Sequence, residues 1–242
     1  MKTRSVLMII ALLALGTVTS AQSVQITSKK VTYVRRSPIS EFKTSFTVNY
    51  PRVKAASAVL SRKIESAISY EKVLGINVNQ ELRSVQWLED ADYEVGFNKM
   101  GVLSISLFVS GSGPYPSGSI KRVVVDLQSG TRVRPRDVFK NLAGLATMVK
   151  MAQRGEIEKA IKDMRNDPEN KDLNPDELFV RSTFTAKDLA EFSVNDDGVT
   201  FHYNYGFPHV IHALQPDGTF KFTWDELRPY IKPRGLLSRL AR

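Results

Sequence analysis

The chain has 242 residues, 42% of them hydrophobic and 24% charged, with a formal net charge of +9. Cysteine is absent, which excludes disulfides and thiolate metal sites. A chain of this length holds one large domain or two small ones, and its basic balance speaks to solubility and non-specific attraction to anionic polymers before it speaks to any site.

The N-terminus carries a charge-then-apolar-then-small pattern. Lys2 and Arg4 come first, Val6 to Leu15 is a run of ten apolar residues, and Gly16 opens a small and polar stretch ending at Thr19-Ser20-Ala21. This reads as a secretory signal peptide over residues 1–21, cleaved to leave Gln22. The alternative is an uncleaved anchor, but the apolar run is short of the roughly 20 residues a membrane span needs. No cysteine lies at the cleavage point for lipid attachment. The mature chain, 22–242, then carries 32 basic and 25 acidic residues. It is expected in the periplasm or secreted, with no transmembrane segment after cleavage.

Phe42 to Tyr50 alternates, with Phe42, Thr44, Phe46 and Val48 on one side, which predicts a half-buried strand that Pro51 ends. Val53, Ala56, Leu60, Ile64, Ala67 and Ile68 share a side at helical spacing, so one amphipathic helix is expected over about 53–73, stopped by Gly75. Leu82 to Leu88 reads as a strand. Tyr93, Val95 and Phe97, the turn at Asn98 to Gly101, and Leu103, Ile105, Leu107 and Val109 form a hairpin. Ser110 to Ser119 is rich in glycine, proline and serine and is expected as a surface loop. Ile120 to Leu127 returns as a third strand of a meander. A helix is expected over about Leu142 to Met164, and a helical turn over Asp176 to Phe179. A second hairpin is expected around Asp197-Gly198, with Val199, Phe201, Tyr203 and Tyr205 alternating. A strand then runs into a short helix that Thr223 caps, with Glu226 at capping-box spacing. The sum is an α+β fold: antiparallel sheet, as meander and hairpins, packed by two longer helices and a short C-terminal helix. Residues 22–242 read as a single domain, with about 22–100 and 101–235 as candidate subdomains.

Four local patterns resemble a known extracytoplasmic domain of unknown function. They are Tyr50-Pro51 before an amphipathic helix; Leu103-Ser104-Ile105-Ser106-Leu107 before a glycine loop; Val125 to Gly130 followed by Asp137-Val138-Phe139; and Tyr203 to Pro208, then Gly218 and Trp224 to Tyr230. The domain is the RsiV-like, PdaC-like one found in lysozyme-sensing anti-sigma factors and in the non-catalytic part of peptidoglycan deacetylases. The resemblance spans about 42–231 and implies an antiparallel sheet covered by helices. Two places depart from the family pattern: Gly118-Ser119-Ile120 stands where a histidine is usual, and His209 where a tyrosine is usual. The membrane helix and the catalytic domain that accompany the domain elsewhere have no counterpart in this sequence.

No catalytic set emerges. The histidines are His202, His209 and His212. The last two sit three apart but follow Pro208 in a strand-or-loop context, with only Asp217 as a distant third ligand, so no metal is expected. Ser112 lacks nucleophile-elbow spacing. Asp196-Asp197 suits a turn, and Asp225-Glu226 suits the first turn of a helix. No phosphate loop or other cofactor motif appears, and Arg132 to Arg136 lacks the interleaved aromatics of a nucleic-acid surface. The candidates are binding residues: Tyr115 and Pro116 on an exposed loop, and the run Tyr203, Tyr205, Phe207, Pro208 and His209, whose rings suit sugar faces or protein anchors. Tyr203 and Tyr205 fit strand core as well as they fit a surface. The expectation is therefore an exported, non-enzymatic binding or sensing module of the bacterial envelope, taking a cell-wall glycan or a protein. Two alternatives stay open: a lysozyme-binding protein, as the resemblance implies, and an uncharacterised cell-wall hydrolase or deacetylase accessory protein. Like charge opposes lysozyme unless the acidic stretch Asp167 to Asp176 compensates.

Overall fold

The computed structural model describes residues 23–40, 42–112 and 116–241; the signal-peptide reading lies outside them. Two antiparallel-dominated sheets and a set of helices form an α+β fold, as the periodicities predict. The larger sheet has six strands in sequence order: β1 (Gln25–Val34), β2 (Ser45–Lys54), β3 (Leu88–Lys99), β4 (Val102–Ser112), β5 (Pro116–Asp126) and β6 (Thr131–Arg132). The smaller has three: β7 (Phe192–Val194), β8 (Gly198–His202) and β9 (Thr219–Thr223).

The ribbon β1–β2 is antiparallel, but β2 meets β3 in parallel, and only through Thr47–Asp90 and Val48–Ala91. A parallel junction needs a crossover. The crossover here is α1 (Ala58–Ala67), α2 (Tyr70–Leu74) and α3 (Val78–Arg83). The single helix expected over 53–73 is thus corrected. β2 runs through Pro51 to Lys54, because beyond Val48 its β3 side is open, and a proline costs no ladder bond on an unpaired edge. The helical remainder divides where the Ser69 hydroxyl accepts the Lys72 N–H and caps α2. Gly75, at φ +72°, ends α2 as read from the sequence. Leu82 is also helical, and the strand expected there begins only at Leu88.

The expected loop at 110–119 is mostly strand. β4 runs to Ser112 and β5 starts at Pro116, paired through Ser110–Gly118, Gly111–Ser117 and Ser112–Pro116. Gly111 is required there, since a Cβ would stand 2.0 Å from the Trp87 carbonyl oxygen. At Gly111 the glycine reflects a close approach of backbones. The β3–β4 hairpin crosses the 100/101 boundary drawn from the sequence.

Both faces of β4 and β5 are covered. Leu103, Ile105, Leu107, Val123 and Val125 join Phe46, Ile64 and Tyr70 in one core beneath α1 and α2. Val102 and Val124 point the other way, into a core of Phe97, Phe139, Phe184, Phe192, Phe201 and Phe220 built by the smaller sheet. That second core is closed by α4 (Pro135–Val138), α5 (Leu142–Asn166) and α7 (Trp224–Leu227), the last with the Thr223–Glu226 capping box in place. A short α6 (Pro175–Leu178) borders a third, smaller cluster. The buried Ser104 hydroxyl accepts the Val194 N–H at 3.0 Å and ties the two sheets together.

Arg35, just past β1, is 3% exposed. Its guanidinium donates to the carbonyls of Glu81 at 3.1 Å, Lys43 at 2.5 Å and Leu88 at 2.7 Å, and the Glu81 carboxylate lies 3.8 Å away. Glu81 in turn accepts the Leu88 N–H at 2.8 Å. This polar clasp fixes the end of β1 to α3 and to the start of β3.

Candidate functional site

The outer part of β5 is one of the open edges of the larger sheet. β6 pairs only with Val125 and Asp126, so the outer part of β5 has no strand beyond it. Facing that edge are three segments of the C-terminal half: 187–191, 202–204 and 212–217. Together they form a cleft of about 580 Å³ with Gly118 to Arg122. Glu191 bridges the two sides, since its carboxylate accepts the Arg122 N–H at 3.0 Å and the Lys121 ammonium at 3.3 Å. An edge strand must be protected somehow, and here a carboxylate does it.

Tyr203 is half-buried in this cleft, its ring held against Phe184 at 5.9 Å and Tyr205 at 5.0 Å between centroids. Around it stand hydrogen-bonding side chains of every type: Asn204, Gln215, Asp188, Asp217 and Lys187. A second, shallower hollow of about 330 Å³ shares Gly118 to Ile120 and adds the cross-strand pair Phe108–Ile120. Ring faces and polar groups therefore run together along one side of the β4–β5 hairpin.

His202 lies at the base of β8. Its Nε2 is 2.9 Å from the Ser193 hydroxyl, and its Nδ1 is buried with no partner among the described residues. Burial first, and the nearby Arg122 guanidinium second, push its pKa down to about 3. A serine–histidine contact is one ingredient of a nucleophile, but a working base needs its second nitrogen oriented by another group. Here that nitrogen is unmet, and Ser193 does not line the cleft. The pair is accounted for as cross-strand packing.

The candidate residues read from the sequence do not converge. Tyr203 alone enters the cleft. The alternating strand expected over Val199 to Tyr205 ends at His202; beyond it the Tyr203 N–H still donates to the Gly218 carbonyl at 2.8 Å, and Gly206 turns the chain at φ +70°. Tyr205 and Phe207, at 9% and 7% exposure, are buried with Phe179 and Met164. Tyr205 donates to Glu156 at 2.6 Å while the other oxygen of that carboxylate accepts the Gly218 N–H. Burial raises the Tyr205 phenol well above its ordinary range. Pro208 and His209 are exposed outside the cleft. Pro116 is exposed at the first position of β5, and Tyr115 lies outside the described residues. His209 and His212 occupy a 3₁₀ segment (His209–Leu214) and not the strand or loop expected. Only His212 reaches the cleft, and no group of three metal-ligating side chains occurs among the described residues. Asn204, Gln215, Lys121, Arg122 and Glu191 carried no sequence signal, because a cleft assembled from four separate segments has no local periodicity.

No family model matches the sequence, and no curated protein matches it significantly. Solved structures do match the fold. A DUF3298 protein from Bacteroides fragilis superimposes with a TM-score of 0.59 at 14% identity, covering 90% of this chain and 98% of that one. The fold is shared with DUF3298 proteins. Another, from Pseudomonas aeruginosa, gives a TM-score of 0.52 at 12% identity over 87% and 95% of the two chains. DUF3298 is a PdaC/RsiV-like domain family, so the likeness to DUF3298 proteins falls where the four sequence patterns pointed. Near-complete coverage of both partners means that the ribbon, the hairpins and the C-terminal half are matched together.

Proposed function

We propose that this protein is an exported, non-enzymatic glycan-binding module of the bacterial envelope and a distant member of the PdaC/RsiV-like group. The observation that carries the reading is the cleft beside β5, where the supported ring of Tyr203 stands among Asn204, Gln215, Asp188 and Asp217. Sugars present one apolar face and a rim of hydroxyls. A ring face beside amides and carboxylates is complementary to both. Support also comes from the signal-like N-terminus and from the bacterial origin of the structural neighbours.

The test is retention of the mature chain on insoluble peptidoglycan, compared with Tyr203→Ala and Asn204→Ala. Specific retention drops at least about tenfold in Tyr203→Ala, as expected for losing a stacking anchor. Equal retention of the wild type and both variants would remove the cleft from the function.

A second reading, lysozyme binding, is favoured by one observation. Asp163, Asp167, Glu169, Asp172, Asp176 and Glu177 are all exposed around the end of α5 and the start of α6. Such a patch would steer a basic partner despite the net positive charge of this chain. Its test is the loss of lytic activity when lysozyme is titrated with the protein.

A further inference from the structure

Another hollow, of about 840 Å³, lies where α1 and α2 meet the β5–β6 turn, and none of its lining residues lines the cleft. Its chemistry is one-sided. Arg62 and Lys63 come from α1, Lys72 from α2 and Arg132 from β6, with the hydroxyls of Ser66 and Thr131 between them; no carboxylate lines it. The β5 cleft, by contrast, mixes Asp188, Glu191 and Asp217 with its cations.

The shelf is built by a close approach. Gly130 stands at φ +72° directly against α1, where a Cβ would come within 2.8 Å of the Lys63 Cβ. The turn can therefore sit on the helix, and Arg132 is drawn under it. Arg132 donates from Nε to the Ala67 carbonyl at 2.6 Å, at the end of α1, but its Nη2 is buried with no acceptor among the described residues. Burial alone depresses its pKa, with no carboxylate close enough to offset the effect. The nearest acids along the chain are engaged elsewhere: Asp137 pairs with Arg134, and Asp126 is turned to the Ser129 hydroxyl and the Gln128 N–H. Arg62 and Lys63 are exposed and have no ion-pair partner among the described residues. Half-buried Arg132 and three exposed cations, Lys72 among them with its ammonium on the Ser66 hydroxyl, thus share one surface that no carboxylate lines. Like charges gathered this way raise the local positive potential and attract an anion.

We propose that this shelf is a binding site for phosphate groups. Phosphate matches it because it presents several acceptor oxygens to donors on more than one side, and arginine is suited to it by its planar fork of donors. Through this site the protein would hold a phosphate-bearing component of its surroundings by residues separate from those that line the β5 cleft. The site stands whether or not the cleft binds glycan.

The probe is inorganic pyrophosphate, titrated calorimetrically into the mature chain at low salt, with the double variant Arg62→Gln/Lys63→Gln beside it. Both positions are exposed on a helix, so folding is retained. Arg132→Gln serves as a second, independent variant. Binding is expected for the wild type and is weakened at least about tenfold in the double variant, with a steep loss on raising salt. Absence of binding at low salt, or equal binding in wild type and both variants, overturns the proposal. A second arm separates the sources: vesicles of phosphatidylcholine with and without phosphatidylglycerol. Retention on the anionic vesicles that pyrophosphate displaces identifies a lipid headgroup. Pyrophosphate binding without vesicle retention identifies a soluble or polymer-borne phosphate. Tyr203→Ala leaves pyrophosphate binding unchanged, which keeps this result separate from the fate of the cleft.

Discussion

The two halves of the molecule reach stability by different means. In the N-terminal half, strands of ten to twelve residues form long ladders over a core of valine, leucine and isoleucine, and a buried arginine clasps the strand ends. In the C-terminal half, strands of three to five residues carry few ladder bonds, and phenylalanine rings take over. Phe201 touches Phe139, Phe184, Phe192 and Phe222, with centroids 5.9 to 6.5 Å apart. Short strands leave chain free to form loops, and the loops of this half supply most of the cleft. The long ladders supply its rigid wall. A small sheet held by rings can thus present connecting segments against the long strands β4 and β5.

The contrast can be broken first at its ring centre. Phe201→Ala removes the common neighbour of four rings and is expected to cost about 3–5 kcal/mol, read from urea unfolding. A loss below about 1 kcal/mol would mean the short strands stand by their ladders after all. Arg35→Met attacks the opposite half. It strands the Glu81 carboxylate and three carbonyls, and about 3 kcal/mol is expected. Near-neutral behaviour would show the clasp to be replaceable by packing.

His202 sharpens the comparison through pH. Its imidazole is held neutral in the folded state at a pKa near 3, below its ordinary value. The unfolded chain therefore takes up a proton first, and stability falls as pH drops below about 6.5. By pH 5 the loss from this group is about 2 kcal/mol. His202→Gln flattens that part of the pH–stability curve; an unchanged slope would place the acid sensitivity elsewhere. The smallest effect is expected at the seam. Ser104→Ala leaves the buried Val194 N–H unmet and costs about 1.5 kcal/mol. Amide exchange of β7 should rise in this variant more than that of β4, since β4 keeps its own ladder.

Much of the fold was legible where one local signal governed one element. The β3–β4 hairpin followed from its alternation and the turn at Asn98 to Gly101, the β7–β8 turn from Asp197-Gly198, and α7 from the Thr223 cap, while α5 spans the stretch where a helix over Leu142 to Met164 is expected. Elements were misjudged where a distant partner decided. Pro51 stays in a strand because its β3 side is unpaired, and Gly111 and Ser117 stay in strands where Trp87 packs on the one and donates to the other. The candidate site was legible only at Tyr203. Its neighbours Asn204 and Gln215 are ordinary polar residues until the β5 edge is set beside them. Tyr205 and Phe207 carried the same aromatic signal yet serve the interior, because sequence alternation does not tell which side of an unpaired segment meets Phe179.

The two-residue junction between β2 and β3 has a kinetic consequence. Two residue pairs of β2 and β3, the Arg35 clasp, the bonds between Val24 and Asn98 and the apolar underside of α1 are what fasten the β1–β2 ribbon to the rest, so the ribbon is expected to open ahead of the central strands. Its amides would exchange with deuterium through a partial opening that leaves β3, β4 and β5 shut. A protease able to cut strands would then nick the ribbon well before the body of the protein unravels.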